Sequence, residues 1–292
     1  MVFNVSFRQV VLYLLPMVVF VTIFLILPIF FILVISPFEW DGVTKMTFIG
    51  FGNFSYLWNE QSFRDAFVCT IYWIISATFL HTTLGLVLTL ILYRLGRAGQ
   101  IFRTIFFLPN ILSVASLALL WFFLLNPYYG LINNFFKLVG LDSFAISWLS
   151  NPKTAAISTQ LPFILYIGFT MLIFYANIST IPRGYYEAAE IDGASSWQQD
   201  LYITLPLIRR AIVLNVILNV SFILKMVEYP LIMTGGGPGG ITTTLPLYIF
   251  QQMSRSYSYG KTMAAAFITF ITGIVVLALV YLVLHWLDRK WA

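Results

Sequence analysis

Apolar residues run along this chain in six long blocks, roughly 10–36, 66–93, 104–125, 155–178, 211–234 and 262–285. A helix of about 20 mostly apolar residues crosses about 30 Å of hydrocarbon, and each block meets that length. The pattern predicts an all-α, polytopic membrane protein with six transmembrane helices in one domain, 1–292. Five blocks carry no formal charge; the fifth holds Lys225 and Glu228. The first block is too long for the 7–15-residue apolar core of a secretory leader, and no small-residue cleavage site follows it. Pro16 and Pro28 inside it are tolerable, because neighbouring groups can satisfy the freed carbonyls of a membrane helix.

An even number of crossings returns both termini to one side. Arg94, Arg97 and Arg103 crowd the short connection between the second and third blocks, with no acid among them. Basic residues in such loops resist translocation, so both termini are expected in the cytoplasm. The opposite loops (37–65, 126–154 and 235–261) carry Trp40, Trp58 and Trp148, as interfacial belts do.

Composition sharpens this picture by exclusion. The chain is 60% hydrophobic and 9% charged, against about 45–50% and about 25% in soluble domains. So few ionisable groups cannot cover a water-facing surface. A soluble enzyme, a disordered segment, a nucleic-acid reader and a disulfide scaffold are excluded. The net charge of +5 suits basic cytoplasmic loops, and no nucleic-acid partner is expected. Cys69, the sole cysteine, is expected as a small buried thiol.

The segment 179–210 is too long and too patterned for a linker. Ser179 or Thr180 is expected to cap a helix with Pro182 in its first turn. Ala188, Ile191, Ala194, Trp197 and Leu201 recur at helical spacing, interrupted at Gly193, and Pro206 is expected to stop the pattern before the next crossing. Glu187, Glu190 and Asp192 flank this stripe. Helices that rest on anionic lipid are usually basic, so the acids favour docking into a groove of another protein.

Glu187-Ala188-Ala189, then Gly193, then Ile203-Thr204-Leu205-Pro206 resembles the EAA loop of binding-protein-dependent ABC transporter permeases at every defining position. Lys225 and Glu228 leading into Thr234-Gly235-Gly236-Gly237-Pro238 is similar to the end of the fifth span in maltose-transporter-type carbohydrate permeases, with Glu228 where Asp is more usual. Arg103 to Pro109, Trp121 and Gly130 also fit that family. The resemblance implies the type I importer permease fold with a cytoplasmic coupling-helix loop. It implies a chain that pairs with a second homologous permease over a dimer of ABC ATPases, in a bacterial or archaeal plasma membrane. Glu187, Ala188, Ala189, Asp192, Gly193, Leu205 and Pro206 would form the coupling loop, with Glu187 meeting an Arg of the ATPase. An extracytoplasmic solute-binding protein would deliver a carbohydrate, and ATP would be hydrolysed in the partner, with no cofactor bound by this chain. A glycerol phosphodiester or polyol is the alternative solute.

Charged and polar groups at bilayer depth face a partner or a watery path. On a continuous fifth helix Lys225 and Glu228 would share a face and pair, as structural glue or near a gate. Asn215 and Asn219 would share another face, and Tyr229 follows; together these five are the candidate solute path. Gly235, Gly236, Gly237 and Pro238 are either a flexible outer turn or a contact for the binding protein. They are not a phosphate loop, since no Gly-Lys-Ser/Thr follows. His81 is expected to pack between helices. Two distant His residues and no intramembrane Asp exclude an intramembrane hydrolase and a metal site. A secondary carrier remains the rival class, although it would leave the acidic loop unexplained.

Overall fold

The computed structural model describes residues 6–291; Met1–Val5 and Ala292, the ends of the expected single domain, lie outside them. The chain is mostly helical and falls into two compact units, 1–61 with 249–270 and 62–248 with 271–292.

In the first unit a span over Arg8–Ile35 begins at Ser6, whose hydroxyl accepts from the Gln9 N–H in a capping box. A π-turn over Thr22–Ile26 immediately precedes Leu27–Pro28, and the Leu27 N–H reaches back five residues to the Thr22 carbonyl. Proline lacks the N–H that would continue the ladder, and a wider turn lets the helix pass it without ending. Leu12, Tyr13, Phe24 and Phe30 are exposed, as suits a lipid-facing helix. After the span the chain makes a two-residue-per-strand hairpin, Phe38–Glu39 against Thr47–Phe48, antiparallel with Phe38 opposite Phe48. In its loop the Asp41 carboxylate accepts from the Thr44 N–H at 2.7 Å and the Val43 N–H at 3.0 Å. These bonds hold its pKa down at about 2. Buried Asn53 donates to the carbonyls of Ser36 at 2.9 Å and Phe38 at 2.8 Å, fixing the exit of the first span. Asn53→Ala is expected to orphan those carbonyls and cost about 1–3 kcal/mol. The loss is read as a lower Tm of the detergent-solubilised protein.

In the second unit one helix, Gln61–Arg94, runs through without a break. The expected third crossing, 104–125, is not straight. A helix over Arg97–Phe107 and a short turn over Leu108–Ile111 meet the helix Val114–Leu124 at 101°. Leu112 is extended, and Ser113 starts the new helix by accepting from the Ser116 N–H at 3.1 Å. That cap provides the stop that apolar periodicity could not mark.

The fourth block, 155–178, is three pieces, Ala155–Ser158, Leu161–Ile164 and Gly168–Ile178. The fifth block, 211–234, is also divided. Arg209–Ile223 ends, residues 224–227 leave the helix, and Glu228–Thr234 starts again. The last helix is Tyr259–Trp291. The core of this unit gathers Trp73, Ala118, Phe163, Ile223, Tyr229 and Met233, with the Phe163 and Phe222 rings stacked at 5.3 Å. His81 packs between helices as expected. Its Nδ1 donates to the Phe163 carbonyl at 2.7 Å, which leaves Nε2 to accept from the Thr170 hydroxyl at 2.9 Å.

Candidate functional site

The loop after the fourth span is a pair of short helices. The first is Arg183–Ile191, and Pro182 itself is its N-cap residue. The expected caps Ser179 and Thr180 instead finish the preceding helix, their hydroxyls donating back to the carbonyls of Tyr175 and Asn177 at 2.7 Å each. The first helix ends in a Schellman arrangement. The Gly193 N–H reaches the Glu190 carbonyl at 3.0 Å, and the Ala194 N–H reaches Ala189 at 2.8 Å. Gly193 sits at φ +79, where a side chain is rarely tolerated. Ser195 then opens the second helix through a capping box with Gln198.

The second helix ends at Leu207, one residue after Pro206 and before the next span, as expected. A π-turn over Asp200–Thr204 comes just before the proline, with the Leu205 N–H bonded to the Asp200 carbonyl. The device at Pro28 is thus repeated. The chain then bends by 68° into Arg209–Ile223.

The two faces of the helix pair differ in chemistry. Ile191 is 88% exposed and Trp197 70% exposed, with Leu201 also open. Glu187, Ala188, Glu190 and Asp192 are exposed as well, while Ala189, Leu205 and Pro206 are half-buried. The opposite face holds polar groups tied to the end of the second span. The Arg94 guanidinium donates to the Asp200 carboxylate and to the Ser196 carbonyl. The Thr204 hydroxyl donates to Asp200 at 3.4 Å and lies 3.0 Å from the Tyr186 hydroxyl. Burial raises the Tyr186 phenol above its ordinary pKa, only partly offset by the bond to Thr204. The contact of Arg94 with Asp200 had no sequence signal, since the two lie 106 positions apart.

The candidate solute-path residues are not brought together as one face. Lys225 is exposed in the break between helices, and Glu228 accepts from the Val227 N–H at 3.1 Å. The expected pairing of Lys225 with Glu228 is therefore corrected: the helix between them is broken, so the shared face never forms. Buried Asn215 donates to its own helix at the Ala211 carbonyl, 3.1 Å away, whereas Asn219 donates across to the Thr82 hydroxyl at 3.1 Å. Tyr229 is fully buried, and its hydroxyl has no hydrogen-bond partner among the described residues.

The glycine-rich segment is a pinned loop rather than a loose turn. Gly235, Gly236, Gly239 and Gly240 all have positive φ, and the Gly237–Pro238 peptide is cis. The hydroxyls of Thr234 and Thr242 are 2.6 Å apart; that of Thr242 also lies 2.8 Å from the Gly237 carbonyl. Thr243 donates to the Gly236 carbonyl at 3.2 Å. Where the loop ends, the Leu245 N–H donates to the Thr70 hydroxyl of the second span at 2.7 Å. Pro238 borders a cleft of about 680 Å³ with Asp65, Cys69, Tyr72 and Pro152, and another of about 520 Å³ with Asn126, Ser150 and Thr234.

Residues 81–292 match the model of the family described as the binding-protein-dependent transport system inner membrane component. The chain is 31% identical over 266 residues to the probable ABC transporter permease protein YurN of Bacillus subtilis, covering 89% of this chain and 90% of that one. It is 29% identical to the lactose transport system permease protein LacF of Rhizobium radiobacter, over 85% of each chain. Its fold matches a chain in the crystal structure of a bacterial ABC transporter that imports the acidic polysaccharide alginate, with a TM-score of 0.80, 25% identity and 94% of each chain covered. A multi-pass helical chain with a bent, two-helix EAA loop is thereby placed: it belongs to the binding-protein-dependent transport system inner membrane component family.

Proposed function

We propose that this chain is one permease half of an ATP-driven importer that carries a carbohydrate across the plasma membrane. The observation that carries the reading is the exposed face of the EAA loop. Ile191 and Trp197 stand open beside Glu187, Glu190 and Asp192, with Leu201 partly exposed at their edge. An apolar patch rimmed by acids fits a groove with basic edges, which we assign to an ABC ATPase subunit. The face with Arg94 and both termini then lies in the cytoplasm. A second, homologous permease completes the pore, and a solute-binding protein docks at the end that carries Gly235, Gly236, Gly237 and Pro238. The ATPase subunits supply the hydrolysis, and this chain needs no cofactor of its own.

A carbohydrate solute is supported by the relatives, whose names span lactose and alginate, a neutral and an acidic saccharide. Of the five candidates Lys225 and Glu228 stay assigned to the solute path, since Asn215, Asn219 and Tyr229 are buried inside this chain. An ammonium that donates and a carboxylate that accepts suit a solute rich in hydroxyls. The test reconstitutes the chain with its partner permease, ATPase and binding protein, and measures ATP hydrolysis against maltose, lactose, trehalose and an alginate oligosaccharide. At least one saccharide is expected to stimulate hydrolysis severalfold through the binding protein. Uptake by this chain alone, driven by an ion gradient, would replace the reading with a secondary carrier.

A further inference from the structure

Among the spans lying between residues 62 and 248, only the second is one uninterrupted helix. The third is bent by 101°, the fourth is interrupted after Ser158 and after Ile164, and the fifth is bent by 68° and broken at 224–227. A displacement applied to a broken helix is absorbed at the break, whereas a continuous helix carries it along its axis.

Both halves of the second span hold other segments. At one end Arg94 grips the second helix of the EAA loop through the Asp200 side chain and the Ser196 carbonyl, and Thr204 extends that grip to Tyr186 on the first helix. Asp200 is buried and the Arg94 side chain is 41% exposed, so the carboxylate is the fixed member of the pair and Arg94 reaches it from the surface. Nine residues in from Gln61, at the other side of the helix's middle, the fully buried Thr70 hydroxyl accepts from the Leu245 N–H, where the chain leaves the glycine-rich loop. At 1.5 Å per residue, Thr70 and Arg94 are separated by about 36 Å of rigid helix.

We propose that the second span is a push-rod joining the EAA loop to the glycine-rich loop, with Arg94 and Asp200 as the positioning residues at one end and Thr70 in the other half. The EAA loop is covalently joined only to the fourth and fifth spans, both of which are broken. The Arg94–Asp200 pair gives it a second, unbroken route across the protein. Movement of the loop on its ATPase is thereby delivered to the segment around Leu245, and occupancy of the glycine-rich loop is delivered back. The proposal rests on the importer reading above.

The experiment uses the complete reconstituted importer and the saccharide that stimulates the wild type most. Subunit content, basal ATP hydrolysis and the ratio of stimulated to basal hydrolysis are read in Arg94→Gln, Asp200→Asn and Thr70→Val. Subunit content and basal rate are expected to stay at wild-type values. The stimulation ratio is expected to fall about 5- to 10-fold in all three, within the usual range of coupling between sites. Arg94→Asp combined with Asp200→Arg is expected to recover most of the ratio, which a loss of packing alone would not allow. An unchanged ratio in the variants at either contact, or ATPase subunits lost from the purified complex, would overturn the push-rod. A wild-type complex that no saccharide stimulates would overturn the importer reading itself, and the push-rod with it.

Discussion

Gly193→Val is expected to lower solute uptake by about tenfold or more while the chain still assembles in the membrane. Gly193 stands at φ +79, and its N–H and that of Ala194 close the first EAA helix onto Glu190 and Ala189. A residue with a Cβ in this left-handed conformation costs about 1–2 kcal/mol, and a β-branched residue is a worse fit. The chain escapes by re-aiming the turn. Nothing lies within 4 Å of a Cβ built there, so the penalty is conformational and not a clash. The two short helices would then lose their mutual angle, and the exposed Ile191 and Trp197 would no longer form one face. Gly193→Asn, which tolerates this conformation, should keep most of the activity. Uptake of labelled saccharide in proteoliposomes decides it, and wild-type uptake in the valine variant would show that the turn has no part in coupling.

Gly168 calls for the opposite experiment, because there the obstacle is space. A Cβ at this position would lie 2.4 Å from the Asn110 side-chain nitrogen, 2.6 Å from the Phe106 carbonyl oxygen and 2.7 Å from the Phe107 Cα. Two of the three obstacles are backbone, so no rotamer change relieves them. The helix Gly168–Ile178 crosses Arg97–Phe107 at this point, and close approach through small residues is how membrane helices gain packing without a hydrophobic drive. Alanine alone adds the offending atom. Gly168→Ala is therefore expected to cost about 3 kcal/mol, the upper end for overpacking, and Gly168→Val no less. A lower Tm and a smaller monodisperse peak after detergent extraction are the readouts. A wild-type profile for the alanine variant would mean that the two helices do not cross at Gly168.

The apolar blocks were legible in the sequence because hydrocarbon thickness imposes a length. Yet among the described residues four helices meet it outright, and six only if each bent pair is one span. The EAA loop was legible because acids, small residues and a glycine recur there at helical spacing. The breaks were not. Pro109, Pro162 and Pro206 are visible in the sequence, yet proline is tolerated inside membrane helices. Here one lies in the turn just before the 101° bend, and another follows a π-turn one residue before the 68° bend. The break at 224–227 contains no proline at all, so a pairing of Lys225 with Glu228 looked natural on paper. Arg94 and Asp200 were invisible for another reason. Arg94 belongs to a basic cluster that signals only orientation, and only the tertiary fold brings it to Asp200.

The 68° bend between Ser196–Leu207 and Arg209–Ile223 has a mechanical meaning of its own. By projection, a thrust along the shorter arm delivers only roughly a third of its length down the longer one, so the joint takes up most of a push from the EAA loop before it reaches 224–227.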